Sequence, residues 1–174
     1  MGSGVDIAEV VMWYVCLLFS LSVHEAAHAI MADRCGDPTG RMLGRATLNP
    51  IAHIDPIGTV VLPLLMMVSN VPYLFGWAKP VPFNPRNLRN PRRDIALVGI
   101  AGPMSNLLLI LIFTIVLRVF VLVSGDPVNT VLASPLGQIM FIMILMNVVL
   151  MLFNLIPVPP LDGHHLLHLV LPPS

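Results

Sequence analysis

At 174 residues the chain has room for one domain. Its composition, 56% hydrophobic and 10% charged with a mean hydropathy of +0.87, excludes an ordinary soluble fold, in which about a quarter of residues are charged. Nine basic and nine acidic residues cancel, so the charge balance gives no sign of a nucleic-acid partner, and the expectation is a single membrane-embedded all-α domain over 1–174 with no separate soluble domain.

The first apolar run, residues 7–32, exceeds the roughly 20 residues that a spanning helix needs. No basic segment precedes it and it is too long for a signal-peptide core, so it reads as a retained span. Inside it lies His24-Glu25-Ala26-Ala27-His28. Positions i and i+4 share one face of a helix, so the two imidazoles can grip one metal ion while Glu25 projects beside them. A charged or strongly polar group near the bilayer centre costs roughly 2.5 to 3.5 kcal/mol on insertion scales, and three packed together call for a compensating cation. Cys16 and Cys35 have no Cys-x-x-Cys spacing and are expected as free thiols.

A polar stretch, 33–56, follows with Arg34, Arg41 and Arg45; a second apolar run covers 57–77; then 78–94, rich in Pro, Asn and Arg, reads as a loop. Two further apolar runs, 95–123 and 131–156, are of spanning length, and a short one at 166–171 predicts a small C-terminal helix. Basic residues decide how 57–77 behaves. If it crossed fully, the loop with Arg34, Arg41 and Arg45 and the loop with Lys79, Arg86, Arg89, Arg92 and Arg93 would lie on opposite faces, against the positive-inside tendency. If it dips in and returns, all eight lie inside. Pro63, the break at 69–72 and Gly76 suit such a re-entrant hairpin. The expected fold is therefore three core transmembrane helices, a re-entrant or additional apolar hairpin at 57–77 and a short final helix, with the charge distribution favouring re-entry over a full crossing.

This topology brings the end of the last span to the depth of the two histidines, and that span ends at Pro157-Val158-Pro159-Pro160-Leu161-Asp162-Gly163. A catalytic zinc site usually takes three protein ligands and leaves one position open. No Glu follows Glu25, and Met31 and Arg34 stand where the metzincin extension needs Gly and His, so neither soluble pattern applies. Asp33 and Asp37 are too close to the first helix to fold back, while Asp55, Asp94 and Asp126 read as loop or cap residues. Asp162 remains as the third ligand, its competing role being the N-cap of the final helix.

Together these residues resemble the site-2 protease family of intramembrane zinc metalloproteases, peptidase family M50, in its compact bacterial and archaeal form. The matching blocks are His24 to His28; Asn49-Pro50-Ile51-Ala52-His53-Ile54-Asp55-Pro56-Ile57-Gly58-Thr59; Phe75-Gly76-Trp77-Ala78-Lys79-Pro80-Val81-Pro82; Ala101-Gly102-Pro103-Met104-Ser105-Asn106; and Phe153-Asn154 through Asp162-Gly163. The resemblance implies one Zn2+ held by His24, His28 and Asp162, with Glu25 as general base. It further implies Asn154 as a contact to substrate or oxyanion, and His53 as a second polar group near the site. The implied activity is hydrolysis of peptide bonds in or near transmembrane segments of membrane proteins, within a prokaryotic plasma membrane and toward its cytoplasmic side. His164 and His165 depart from the family's usual residues after Asp-Gly. Two other readings stay open: a zinc transporter, and a catalytically silent relative that binds membrane substrates.

Overall fold

The structure is a computed structural model that describes residues 7–69 and 76–170. Three helices are long and apolar enough to cross a membrane: α1 (Ile7–Cys35), α4 (Pro91–Ser124) and α6 (Pro135–Asn154). Between them lie α2 (Thr39–Met42), α3 (Leu62–Val68) and α5 (Val128–Ala133), and α7 (Leu167–Val170) comes last. No strand occurs among the described residues, so the chain is an all-α integral membrane protein.

Each span begins and ends for a local reason. Asn90 caps α4 by accepting from the Arg93 amide, and Pro91 occupies the first turn, where its missing N–H costs nothing. Gly125 ends α4 in the left-handed conformation that a side chain would strain. The expected single run 131–156 is instead two elements, because Ser134 caps α6 through the Gly137 amide and Pro135 starts it.

Lipid offers no hydrophobic drive between helices, so close packing depends on small side chains and buried polar contacts. Ala26, Ala29 and Ala32 of α1 and Gly99, Ala101 and Gly102 of α4 are all buried, as are Ser20, Asn106 and Asn147. The outward faces carry exposed apolar residues such as Leu108, Ile115 and Val119, as a bilayer requires.

The hairpin reading of 57–77 has a structural counterpart. Its helical part, Pro56–Val68, has a first turn wound as a π-helix and is too short to span. Both limbs meet again: the Lys79 amide donates to His53 O at 2.9 Å, the Trp77 amide to Gly58 O at 3.3 Å, and Thr59 Oγ1 to Trp77 O at 2.9 Å. The Trp77 ring lies where a Cβ on Gly58 would stand, so only glycine allows the limbs to close this tightly. Tyr14 of α1 holds the entry limb by donating to Thr59 O at 2.8 Å. The expected break at 70–72 lies outside the described residues.

The Cys35 end of α1 adjoins the Pro91 end of α4, since the Arg89 amide donates to Cys35 O at 3.0 Å. Eight of the nine basic residues therefore flank one end of the bundle. Arg118 sits in the other half of α4, exposed and about 9 Å from the helix end, within reach of the interface for a long side chain.

Candidate metal centre

His24 and His28 lie on one face of α1, about 10 to 17 Å before its C-terminal end. Asp162 reaches them from beyond α6. After Asn154 the chain turns through 155–161 and starts a 3-10 turn at Asp162, with Gly163 packed so tightly on the Leu155 and Ile156 carbonyls that a side chain there would collide with both. The outcome is a compact triangle. Asp162 Oδ2 is 3.0 Å from His24 Nε2 and 3.3 Å from His28 Nε2, and the two Nε2 atoms are 3.1 Å apart. This is the group of potential metal ligands found among the described residues.

The residues fit a zinc ion on their own chemistry. Ligands at about 2.0 to 2.1 Å on a tetrahedral ion stand about 3.3 Å apart, close to the spacing seen. His28 Nδ1 is 2.7 Å from Val98 O, which can only accept, so in the neutral ring the proton is on Nδ1 and the Nε2 lone pair faces the triangle. His24 Nδ1 is turned away in the same sense, 2.6 Å from Asn106 Oδ1. Asp162 Oδ2 is buried and accepts no hydrogen bond. Converging lone pairs without a proton between them are what a cation satisfies.

The wall opposite the imidazoles is the backbone of α4. A Cβ on Gly102 would come within 2.6 Å of His24 Nε2 and closer still to His28 Nε2, and one on Gly99 would lie 3.0 Å from Asp162 O. Small residues in a spanning helix serve close helix approach in general. Their position against the triangle has no signal in periodicity.

Glu25, half-buried beside the triangle, accepts from the Val81 amide through Oε2 at 3.1 Å. Val81 stands between Pro80 and Pro82, so its N–H is the one backbone donor in that tripeptide. The remaining candidates have the following partners. Asn154 donates to Leu150 O at 3.0 Å within its own helix. His53 is buried and donates from Nε2 to Thr47 O at 2.9 Å, while its Nδ1 has no partner. His164 donates to Leu161 O and stacks on His165, which meets Phe83 edge-on. Cys16 and Cys35 are free and buried.

The other acids have their own tasks. Asp55 caps the hairpin by accepting from the Ile57 and Gly58 amides, Asp94 accepts from the Asn90 amide, and Asp33 pairs with Arg41 at 3.2 Å. Asp37 is fully buried and accepts from the Thr39 amide and hydroxyl, the Asn84 amide and Asn87 Nδ2. Burial alone would raise its pKa, but these donors outweigh it and hold the carboxyl below the usual carboxylate range.

Comparison with known proteins gives this geometry a family. The chain is 43% identical over 160 residues to YwhC of Bacillus subtilis, a protein provisionally named as a zinc metalloprotease, covering 92% of this chain and 69% of that one. The chain belongs to peptidase family M50. The model of that family matches residues 120–173. Rip2 of Mycolicibacterium smegmatis, provisionally named in the same way, is 31% identical over 161 residues, covering 92% of this chain and 56% of its own. Rip2 of Mycobacterium tuberculosis is 30% identical over 162 residues, also covering 56% of its own length. No solved structure matches the chain. As a member of M50, the site-2 protease family, the chain joins an apolar helical bundle to a His–His–Asp group suited to zinc.

Proposed function

We propose that the chain is a zinc-dependent endopeptidase that hydrolyses peptide bonds in or near transmembrane segments of membrane proteins, at a site toward the cytoplasmic side of a prokaryotic plasma membrane. The reading rests on one observation above all: His24 and His28 of α1 and Asp162 from beyond α6 converge on one point inside a three-helix membrane bundle. The basic residues clustered at that end of the helices support the orientation.

His24, His28 and Asp162 hold the ion. When bound, zinc polarises the scissile carbonyl and raises the acidity of the attacking water. Glu25 takes a proton from that water and delivers it to the leaving amine as the C–N bond breaks, so water ends as the new carboxyl oxygen and amine hydrogen. The Val81 amide fixes one carboxylate oxygen of Glu25 and leaves Oε1 for proton transfer. The substrate helix has to unwind locally, because its carbonyls are otherwise tied up in hydrogen bonds. Asn154, whose Nδ2 donates to Leu150 O, contacts the substrate or the oxyanion, and His53, which donates to Thr47 O, is a second polar group near the site.

The test is cleavage of a model transmembrane substrate by reconstituted protein, with zinc content measured alongside. Glu25→Gln should abolish cleavage and keep one zinc per chain, whereas Asp162→Ala should lose both. Cleavage unchanged in Glu25→Gln removes Glu25 from the mechanism. Zinc bound by a wild-type chain that cleaves nothing favours a silent relative or a transporter instead.

A further inference from the structure

Behind His24 runs a chain of amides that ties all three spanning helices together. His24 Nδ1 is 2.6 Å from Asn106 Oδ1 on α4; Asn106 Nδ2 is 2.8 Å from Asn147 Oδ1 on α6; and Asn147 Nδ2 is 2.7 Å from Met143 O and 2.9 Å from Ser20 Oγ on α1. Asn106 and Asn147 are both 0% exposed, so no solvent competes for these bonds.

The direction of every bond follows from one end. Met143 O is a backbone carbonyl and can only accept, so Asn147 must turn its NH2 toward it and its Oδ1 toward Asn106. Facing that oxygen, Asn106 must donate, which leaves Asn106 Oδ1 for His24. Nδ1 of His24 therefore carries the proton, and Nε2 keeps its lone pair for the triangle with His28 and Asp162. A reversal at any amide would set oxygen against oxygen in a buried, apolar setting.

We infer that Asn147, which touches none of the three ligands, is a positioning residue that sets the tautomer of His24 through Asn106 and so tunes the affinity of the centre for zinc. The inference rests on the metal-centre reading given above. Without Asn147, Asn106 is free to turn its NH2 toward His24, which favours the tautomer with a proton on Nε2 and blocks the ligand atom. Outer partners of ligand histidines typically account for 10- to 100-fold in metal affinity.

Zinc affinity of the purified, detergent-solubilised chain, measured by competition with a chromophoric chelator, decides the matter together with thermal unfolding of the metal-free protein. Asn147→Leu should weaken zinc binding at least 10-fold. Adding Asn106→Asp should restore it, because a carboxylate accepts from His24 Nδ1 whichever way it turns. Lost packing alone would not be rescued in this way, and thermal stability should stay low in both variants. Asn147→Asp, protonated so that its OH donates to Met143 O while its other oxygen accepts from Asn106 Nδ2, should bind zinc within a few-fold of the wild type, and a loss as large as that of Asn147→Leu counts against the relay. Affinity unchanged in Asn147→Leu, or not restored by Asn106→Asp, overturns the relay alone. Zinc binding by the wild type that is indifferent to Asp162→Ala, or no binding at all, overturns the metal centre and the relay with it.

Discussion

Gly102 places the tightest residue-scale constraint on the proposed chemistry. Alanine normally favours a helix over glycine by about 1 kcal/mol, yet here its Cβ would enter the space of both imidazoles. Gly102→Ala is expected to displace the ligand rings and lower cleavage about 100-fold without unfolding α4, as read by turnover and helical content together. Asp37 gives a second test. Its folded carboxyl is depressed, so its stabilising contribution is complete above the unfolded value of about 3.9 and is lost as pH falls through the folded one. Asp37→Ala should cost about 3 kcal/mol near neutral pH, because four donors lose a charged acceptor, and the gap between wild type and variant should shrink on acidification. Thermal unfolding across pH 3 to 7 measures both effects. At this scale the sequence showed the histidine pair plainly, because the spacing of His24 and His28 is a property of one helix. It hid Gly102, the Asn106 partner of His24 and the Val81 amide on Glu25, because each is a contact between segments distant in the chain.

Among the elements, the hairpin at 57–77 was readable from charge and not from hydropathy. Hydropathy alone counts a fourth span; the distribution of Arg34 through Arg45 and Lys79 through Arg93 points to a return, and the bonds joining Gly58 to Trp77 and His53 to Lys79 give that return a physical form. The closing partner of Gly58 was not readable, since Trp77 resembles an ordinary interface aromatic until its ring is seen over the glycine. Re-entry makes a direct prediction. With Cys16 and Cys35 replaced by serine, single cysteines at Thr47 and Arg86 should react with a membrane-impermeant maleimide from the same side of oriented vesicles, and one at Asp126 from the other. Labelling of positions 47 and 86 from opposite sides would contradict a hairpin.

For the whole molecule, depth counting along the membrane supported Asp162 once the other acids had been assigned to loops, caps or the neighbourhood of α1, because an odd number of crossings after α1 would have delivered it to the wrong leaflet. Asn154 and His53 came from resemblance alone; Asn154 donates to Leu150 O and His53 to Thr47 O. What joins the helices laterally, the buried amides between α1, α4 and α6, leaves no trace in a one-dimensional pattern. The triangle also draws on widely separated stretches of the polypeptide. At translation speeds of about 5 to 20 residues per second, the roughly 130 residues between His28 and Asp162 take about 7 to 27 seconds to emerge. Throughout that interval the first helix is already in the bilayer beside other newly made proteins, holding two imidazoles and no third ligand. On the metal-centre reading, the site is therefore assembled only once Asp162 has followed both histidines out of the ribosome.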